Sequence, residues 1–236
     1  MSSNKLKIIA CVSMLIDHIG YILFPQVYYL RWIGRIAMPI FAFFIAEGCR
    51  HTKHRLKYFL QVFLLGVFCQ AVYVANDIIT GNFHKLYLNI LFTFSFSIIL
   101  CFAYIDIEKA VLSARVPIKQ IFIFGLSFVF TLAFLRFADN VLGFPVSVDY
   151  GIRGVLLPLS AVIFKNKHLK MFSFSICLIG FLILFNKGIY TIIFSAFSIP
   201  LLYLYDGTYG SKKLKYLFYI FYPTHLAVLH LISLVI

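Results

Sequence analysis

Charge is scarce in this chain, and acid is scarcer still. Of 236 residues only 8 are Asp or Glu, and the four charged types together make up 12%, about half the share of a soluble domain. The glycine-rich phosphate loops GxxxxGK and GxGxxG are both missing, so no soluble nucleotide fold is present. Five cysteines (11, 49, 69, 101 and 177) lie in or at the ends of apolar runs and none forms CxxC. That excludes a zinc ribbon and gives no sign of a disulfide framework; they read as small hydrophobes. No internal repeat, low-complexity tract or long polar stretch occurs. One domain is therefore expected over residues 1–236, with no soluble appendage.

Apolar side chains are what the chain has in abundance: 62% of residues, with 28 Phe and 15 Tyr and a mean hydropathy of +0.96. This is the composition of an integral membrane protein in a lipid bilayer, and a bacterial plasma membrane is the expected location. The net charge of +13 does not point to nucleic acid, because basic residues collect in the cytoplasmic loops of membrane proteins. The first 20 residues have a basic start and an apolar run but no small-residue cleavage site, which reads as a retained first span.

A helical span takes about 20 mostly apolar residues. The runs 7–24, 32–49, 57–75, 86–104, 118–136, 150–164, 170–186, 188–205 and 214–235 qualify, which predicts an all-α polytopic bundle of about nine spans. With the N-terminus inside, 15 of the 21 Lys and Arg fall in inner segments and 6 in outer ones, an asymmetry that sets orientation. The C-terminus is then outside. Trp32, beside Tyr28 and Tyr29, falls at the outer interface, where aromatic belts form.

Within SMLIDHIG, Asp17 and His18 stand together in an otherwise apolar run. Ionisable groups inside a span are costly and are functional candidates by default. Asp17 lies ten residues from Lys7, and His225 ten residues from Lys215. At 1.5 Å per residue both sit about 15 Å deep, so two sites from opposite ends of the chain share one level. Arg35 and, one turn further out, Arg31 lie in the second run. Asp17 points about 100° from His18 on a helix, so a pairing with Arg35 is expected rather than a hold on the imidazole. A structural ion pair and a hydrogen-bonded core histidine are the bland alternatives.

Other polar groups form patterns. Asn89, Thr93 and Ser97 make one stripe at i, i+4, i+8, either interhelical glue or site lining. Tyr219, Tyr222 and His225 share an arc of about 120°, and Pro223 frees the Tyr219 carbonyl. In SVDYGIRG, Asp149 and Arg153 flank Tyr150 one turn apart, as an i,i+4 ion pair or a site. EGCRHTKHRLK crowds Arg50, His51, Lys53, His54, Arg55 and Lys57 after Glu47. It is a topogenic loop, and also a mouth suited to phosphates. No group of residues suggests a metal site.

The segments LKIIACVSMLIDHIG, LRWIGRIAMPIFAFFIAEGCRHT, NILFT, DYGIRGVL, LYDGTYG and KYLFYIFYPTHL, in that order, resemble the TraX family, whose named member acetylates the N-terminus of conjugative pilin. Met38 replaces a Phe expected in the RxAxPxF stretch. The resemblance implies a transmembrane acyltransferase that takes acetyl from cytoplasmic acetyl-CoA and passes it to a peptide N-terminus or glycan hydroxyl. It maps the family's catalytic histidine onto His18. His18 is then the expected base, with Asp17, Arg35 and His225 completing the catalytic group. Asn89, Thr93, Tyr222 and His225 are candidate oxyanion or acceptor-orienting groups, and Arg31, Asp149, Tyr150, Arg153 and Tyr219 join them as acceptor contacts. Arg50, His51, Lys53 and Arg55 with Lys212, Lys213 and Lys215 would hold the phosphates of CoA. The rival reading is a small-solute or proton-coupled transporter, since midplane Asp, His and Arg residues also build those. Against it, no repeated half and no matching pair of broken spans is visible.

Overall fold

The computed structural model describes residues 1–81, 85–208, 210 and 213–235, without the side chains of 141, 142, 213 and 215–217. Its elements are α1 (Ser3–Ile22), α2 (Tyr28–Gly34), α3 (Ala37–His51), α4 (Arg55–Ile79), β1 (Leu86–Leu88), α5 (Ile90–Leu112), α6 (Ile118–Leu142), β2 (Val146–Val148), α7 (Gly151–Ile163), α8 (Lys167–Leu184), α9 (Ile189–Ala196), α10 (Ser198–Tyr203) and α11 (Lys213–Ser233). The protein is mostly helical. Six stretches are long and apolar enough to cross a membrane: Ser3–Leu23, Tyr28–His51 (α2 with α3), Arg55–Ile79, Ile90–Leu112, Ile118–Asn140 and Lys167–Leu184. Three apolar helices are shorter: Gly151–Ile163, Ile189–Tyr203 and Phe218–Ser233.

The expected runs survive with local corrections. Residues 86–88 of the fourth run form a strand instead of the start of a helix, because the Asn89 side chain accepts the Leu91 amide and caps α5 at that point. With no break until Ser113, α5 then continues to Leu112 and carries Asp106 and Glu108. The expected run 188–205 is split at Phe197. Pro200 has no amide to offer the Ala196 carbonyl, and beside the break the Ser198 hydroxyl donates to Ser195 O (2.6 Å). Gly143, at φ 73°, closes α6 in the left-handed conformation with its amide on Asp139 O.

The chain falls into two compact units, residues 1–44 with 171–236, and residues 45–170. In the first unit α1 packs on α2 and on α11, and α2 on α9. Small residues let α1 and α2 approach closely. Gly34 lies against the Asp17 side chain, so that any Cβ there would collide with it, and Gly20 lies against Leu30. The Ser13 hydroxyl donates to Ile33 O across the seam (2.6 Å). Leu6, Ala10, Ile40, Phe43, Phe174 and Leu226 are fully buried or nearly so, with Phe43 edge-on to Phe174 and Tyr205. Trp32 stacks on Tyr190 at 4.1 Å.

In the second unit α5 is the centre, packed by α4, α6 and α7. β1 and β2 pair in parallel, Leu86 opposite Val146. The stripe foreseen on α5 joins helices: Thr93 donates to Asp149 O (2.5 Å) and Ser97 to Val155 O (2.9 Å). Asn89 donates to Gly66 O and to Gln70 Oε1.

Candidate active site

Two adjacent residues of α1 serve two different neighbours, because a helix turns them about 100° apart. Asp17 faces α2. Its Oδ2 accepts from Arg31 Nη1 at 3.0 Å, while Arg35 Nη2 stands 3.8 Å from Oδ1. The pairing foreseen with Arg35 is present but is the looser of the two; Arg31 is the hydrogen-bonded partner. Arg35 caps α2 instead of lying within a continuous helix. Arg31 also lies under the Tyr21 ring, 4.7 Å from its centroid. The Asp17 Oδ1 atom is buried and accepts no hydrogen bond among the described residues.

His18 faces α11. Its Nδ1 is 2.9 Å from Nε2 of His225, 207 positions away in sequence. His225 Nδ1 is in turn 2.7 Å from the carbonyl oxygen of Phe221, one turn back. Tyr222 is buried beside the pair, edge-on at 6.5 Å from His18 and 5.6 Å from His225, and Tyr219 lies one turn before it, half-buried. Equal depth, foreseen for His18 and His225, is thus direct contact. The partner that sequence alone did not supply is the Phe221 carbonyl; the i,i+4 spacing to His225 was the only available sign of it.

In the second unit Arg50, Arg55, Lys165 and Lys170 are engaged by carboxylates. Arg50 donates to the Glu108 carboxylate and to Val162 O, and Lys165 approaches Glu108 at 3.4 Å. Arg55 grips Asp106 with two parallel 2.8 Å bonds. Glu47 pairs with Lys170 at 2.5 Å and has His51 at 3.9 Å. The partners missed were Asp106, Glu108, Lys165 and Lys170. The sign of them was the scarcity of acid, since each carboxylate claims whichever cation the fold brings near. Lys53 is exposed and has no such partner among the described residues. Lys212 lies outside the described residues, as do the side chains of Lys213 and Lys215.

At the far end of the same unit, the Tyr87 hydroxyl donates to the Asp149 carboxylate (2.6 Å). Tyr150 adopts φ 57° as it opens α7, and Arg153 follows in the first turn. In the loop of the first unit, Asp206 accepts from the Thr208 hydroxyl (2.5 Å) and amide (2.9 Å). These bonds hold its carboxyl down at about 2. No group of His, Cys, Asp and Glu able to hold a metal occurs among the described residues.

Long apolar helices and a part-buried contact between two histidines define a class: an integral membrane protein with a polar site built inside a helical unit. The family model described as TraX protein matches residues 2–233, and the chain belongs to that family. It is 27% identical over 97% of its length, and 94% of the relative's, to the "Probable fimbrial assembly protein FimC, serogroup H1" of Dichelobacter nodosus. A 41-residue stretch is 54% identical to an uncharacterized protein of Rickettsia prowazekii, covering 17% of this chain and 16% of that one. No solved structure matches.

Proposed function

We propose that this chain is a membrane-embedded acetyltransferase that moves acetyl from cytoplasmic acetyl-CoA to an amine or hydroxyl reached from the membrane or the outer face. The observation that carries this reading is the imidazole of His18, half-buried on α1 and braced at 2.9 Å by the buried imidazole of His225. Acyl transfer from a thioester needs a base for the attacking group and donors for the oxyanion. His18 takes the acceptor's proton, the acceptor attacks the acetyl carbonyl, the C–S bond breaks, and the proton passes to the departing thiolate. Tyr222 and Tyr219 line the acceptor's approach. Asp17 with Arg31 and Arg35 supplies a fixed field beside the base. Among the cations of the 50–55 segment proposed for the CoA phosphates, Lys53 is the readiest, since Arg50 and Arg55 already hold carboxylates; His51 belongs to the same segment.

Membership in the TraX family and a relative named for fimbrial assembly favour a peptide N-terminus of a surface-fibre subunit over a glycan hydroxyl as acceptor. The six long helices and three shorter apolar ones together make the nine spans proposed, N-terminus inside, in a bacterial plasma membrane. The test is detergent-purified protein given acetyl-CoA labelled in the acetyl group, with binding and transfer measured separately. A transporter ignores the donor, and donor binding that is absent overturns the reading.

A further inference from the structure

The contact between the two histidines has a direction. The Phe221 carbonyl oxygen only accepts, so the His225 Nδ1 facing it at 2.7 Å carries the hydrogen. A neutral imidazole has one N–H and one lone pair, which leaves the lone pair of His225 on Nε2. That atom faces His18 Nδ1 at 2.9 Å, so His18 must donate there. Its own lone pair is then confined to Nε2. A backbone carbonyl at one end of the chain of bonds thus selects the tautomer of the residue at the other end.

We infer that His225 is a positioning residue: it locks His18 in the form with hydrogen on Nδ1 and the lone pair on Nε2, and gives the transferred proton a second place to rest. The inference rests on the acetyl-transfer reading of this site. The bookkeeping of the proton is complete within the three groups. When His18 Nε2 accepts the acceptor's proton, the Nδ1 proton can shift to His225 Nε2, leaving His18 neutral with hydrogen on Nε2. His225 becomes an imidazolium, one N–H of which stays on the Phe221 oxygen. As the thiolate leaves, Nε2 of His18 gives up its proton to sulfur and the shifted proton returns to Nδ1. No carboxylate takes part; Asp17 is turned toward Arg31. This differs from a Ser-His-Asp arrangement, in which an ionised acid holds the imidazole.

Two measurements test it. The first uses protein labelled with 15N in histidine, in detergent at neutral pH with no donor added. A correlation through the hydrogen bond should join a protonated Nδ1 of one histidine to an unprotonated Nε2 of another, whose own Nδ1 is protonated. Absence of that correlation, or hydrogen on Nε2 of His18, overturns the assignment. The second compares kcat. His225→Ala should lower it about 10²-fold, at the low end of what a positioned base contributes, with KM unchanged. His225→Gln, whose amide oxygen can still accept from His18 Nδ1, should recover to within about tenfold of wild type. Equal losses in the two variants overturn the positioning role. Wild-type protein that transfers no acetyl would instead remove the acetyltransferase reading, and the labelled spectrum would still decide the tautomer.

Discussion

Replacement of Arg50 separates a structural cation from a ligand-binding one. Its side chain is 13% exposed and that of Glu108 is 19% exposed. It donates to that carboxylate and to the Val162 carbonyl, so it ties α3 to α5 and α7. Arg50→Gln leaves a largely buried carboxylate with Lys165 alone at 3.4 Å and removes the donor to Val162. Removing one partner of a buried pair costs about 3–5 kcal/mol. At roughly 2–4 °C per kcal/mol for a chain of this size, the midpoint of thermal unfolding should fall by about 6–20 °C. Arg55 is the control. It and Asp106 are 34% and 44% exposed, so Arg55→Gln should cost about 1 kcal/mol or less. Lys53→Gln should leave the midpoint unchanged within about 0.5 kcal/mol while weakening acetyl-CoA binding. The assay is thermal unfolding of detergent-solubilised protein, beside donor binding on the same samples. An Arg50→Gln protein as stable as wild type would refute the reasoning. So would a series in which Lys53→Gln is the least stable.

The remaining expectations concern the first unit and the topology. His18→Ala should lower acetyl transfer by about 10²–10⁴ and leave donor binding nearly intact; a folded variant with wild-type rates would end its assignment as the base. Asp17→Asn removes the counter-charge of Arg31, which is 29% exposed. The loss should be about 3 kcal/mol, the low end for a buried pair, read as a lower unfolding midpoint, and an unchanged midpoint would mean that Asp17 acts only on chemistry. A reporter fused after the last residue should read outside and one inserted at Lys53 inside; a C-terminal reporter that reads inside would remove one of the nine spans. Between neutral and acid pH, the Asp206 turn should respond only at the acid end. Its carboxyl is held at about 2, below the ordinary 3.8, so its stabilisation is full above about pH 4 and is lost as pH falls toward 2. Hydrogen-exchange protection of the Thr208 amide should follow that window, and a change between pH 7 and 5 would contradict it.

Much of the architecture was legible from the residues alone because membrane insertion is decided locally. About 20 consecutive side chains meet or fail a hydropathy requirement whatever the rest of the chain does, and nearly every expected run became a helix. The misplacements have local causes that hydropathy does not register: the Asn89 cap before α5, and the missing amide of Pro200 that divides α9 from α10. His18 and Asp17 were also recognisable as candidates, since an ionisable group in an apolar run is conspicuous on its own. What each of them touches was not. Neighbours on a helix differ by about 100°, so a modest rotation decides whether Asp17 meets Arg35 or Arg31, and no short-range pattern encodes that rotation. The same holds for the polar stripe on α5, where Thr93 and Ser97 could have lined a site and instead bind the backbone around α7. Arg50 and Arg55 looked like open cations because their carboxylates lie more than fifty residues away. The sequence by itself therefore determined the solvent of this protein, its helices and the residue types inside them. Only the tertiary structure decided the partners: it brought His18 to His225 across 207 positions, because the packing of α1 against α11 depends on all the side chains of both helices together.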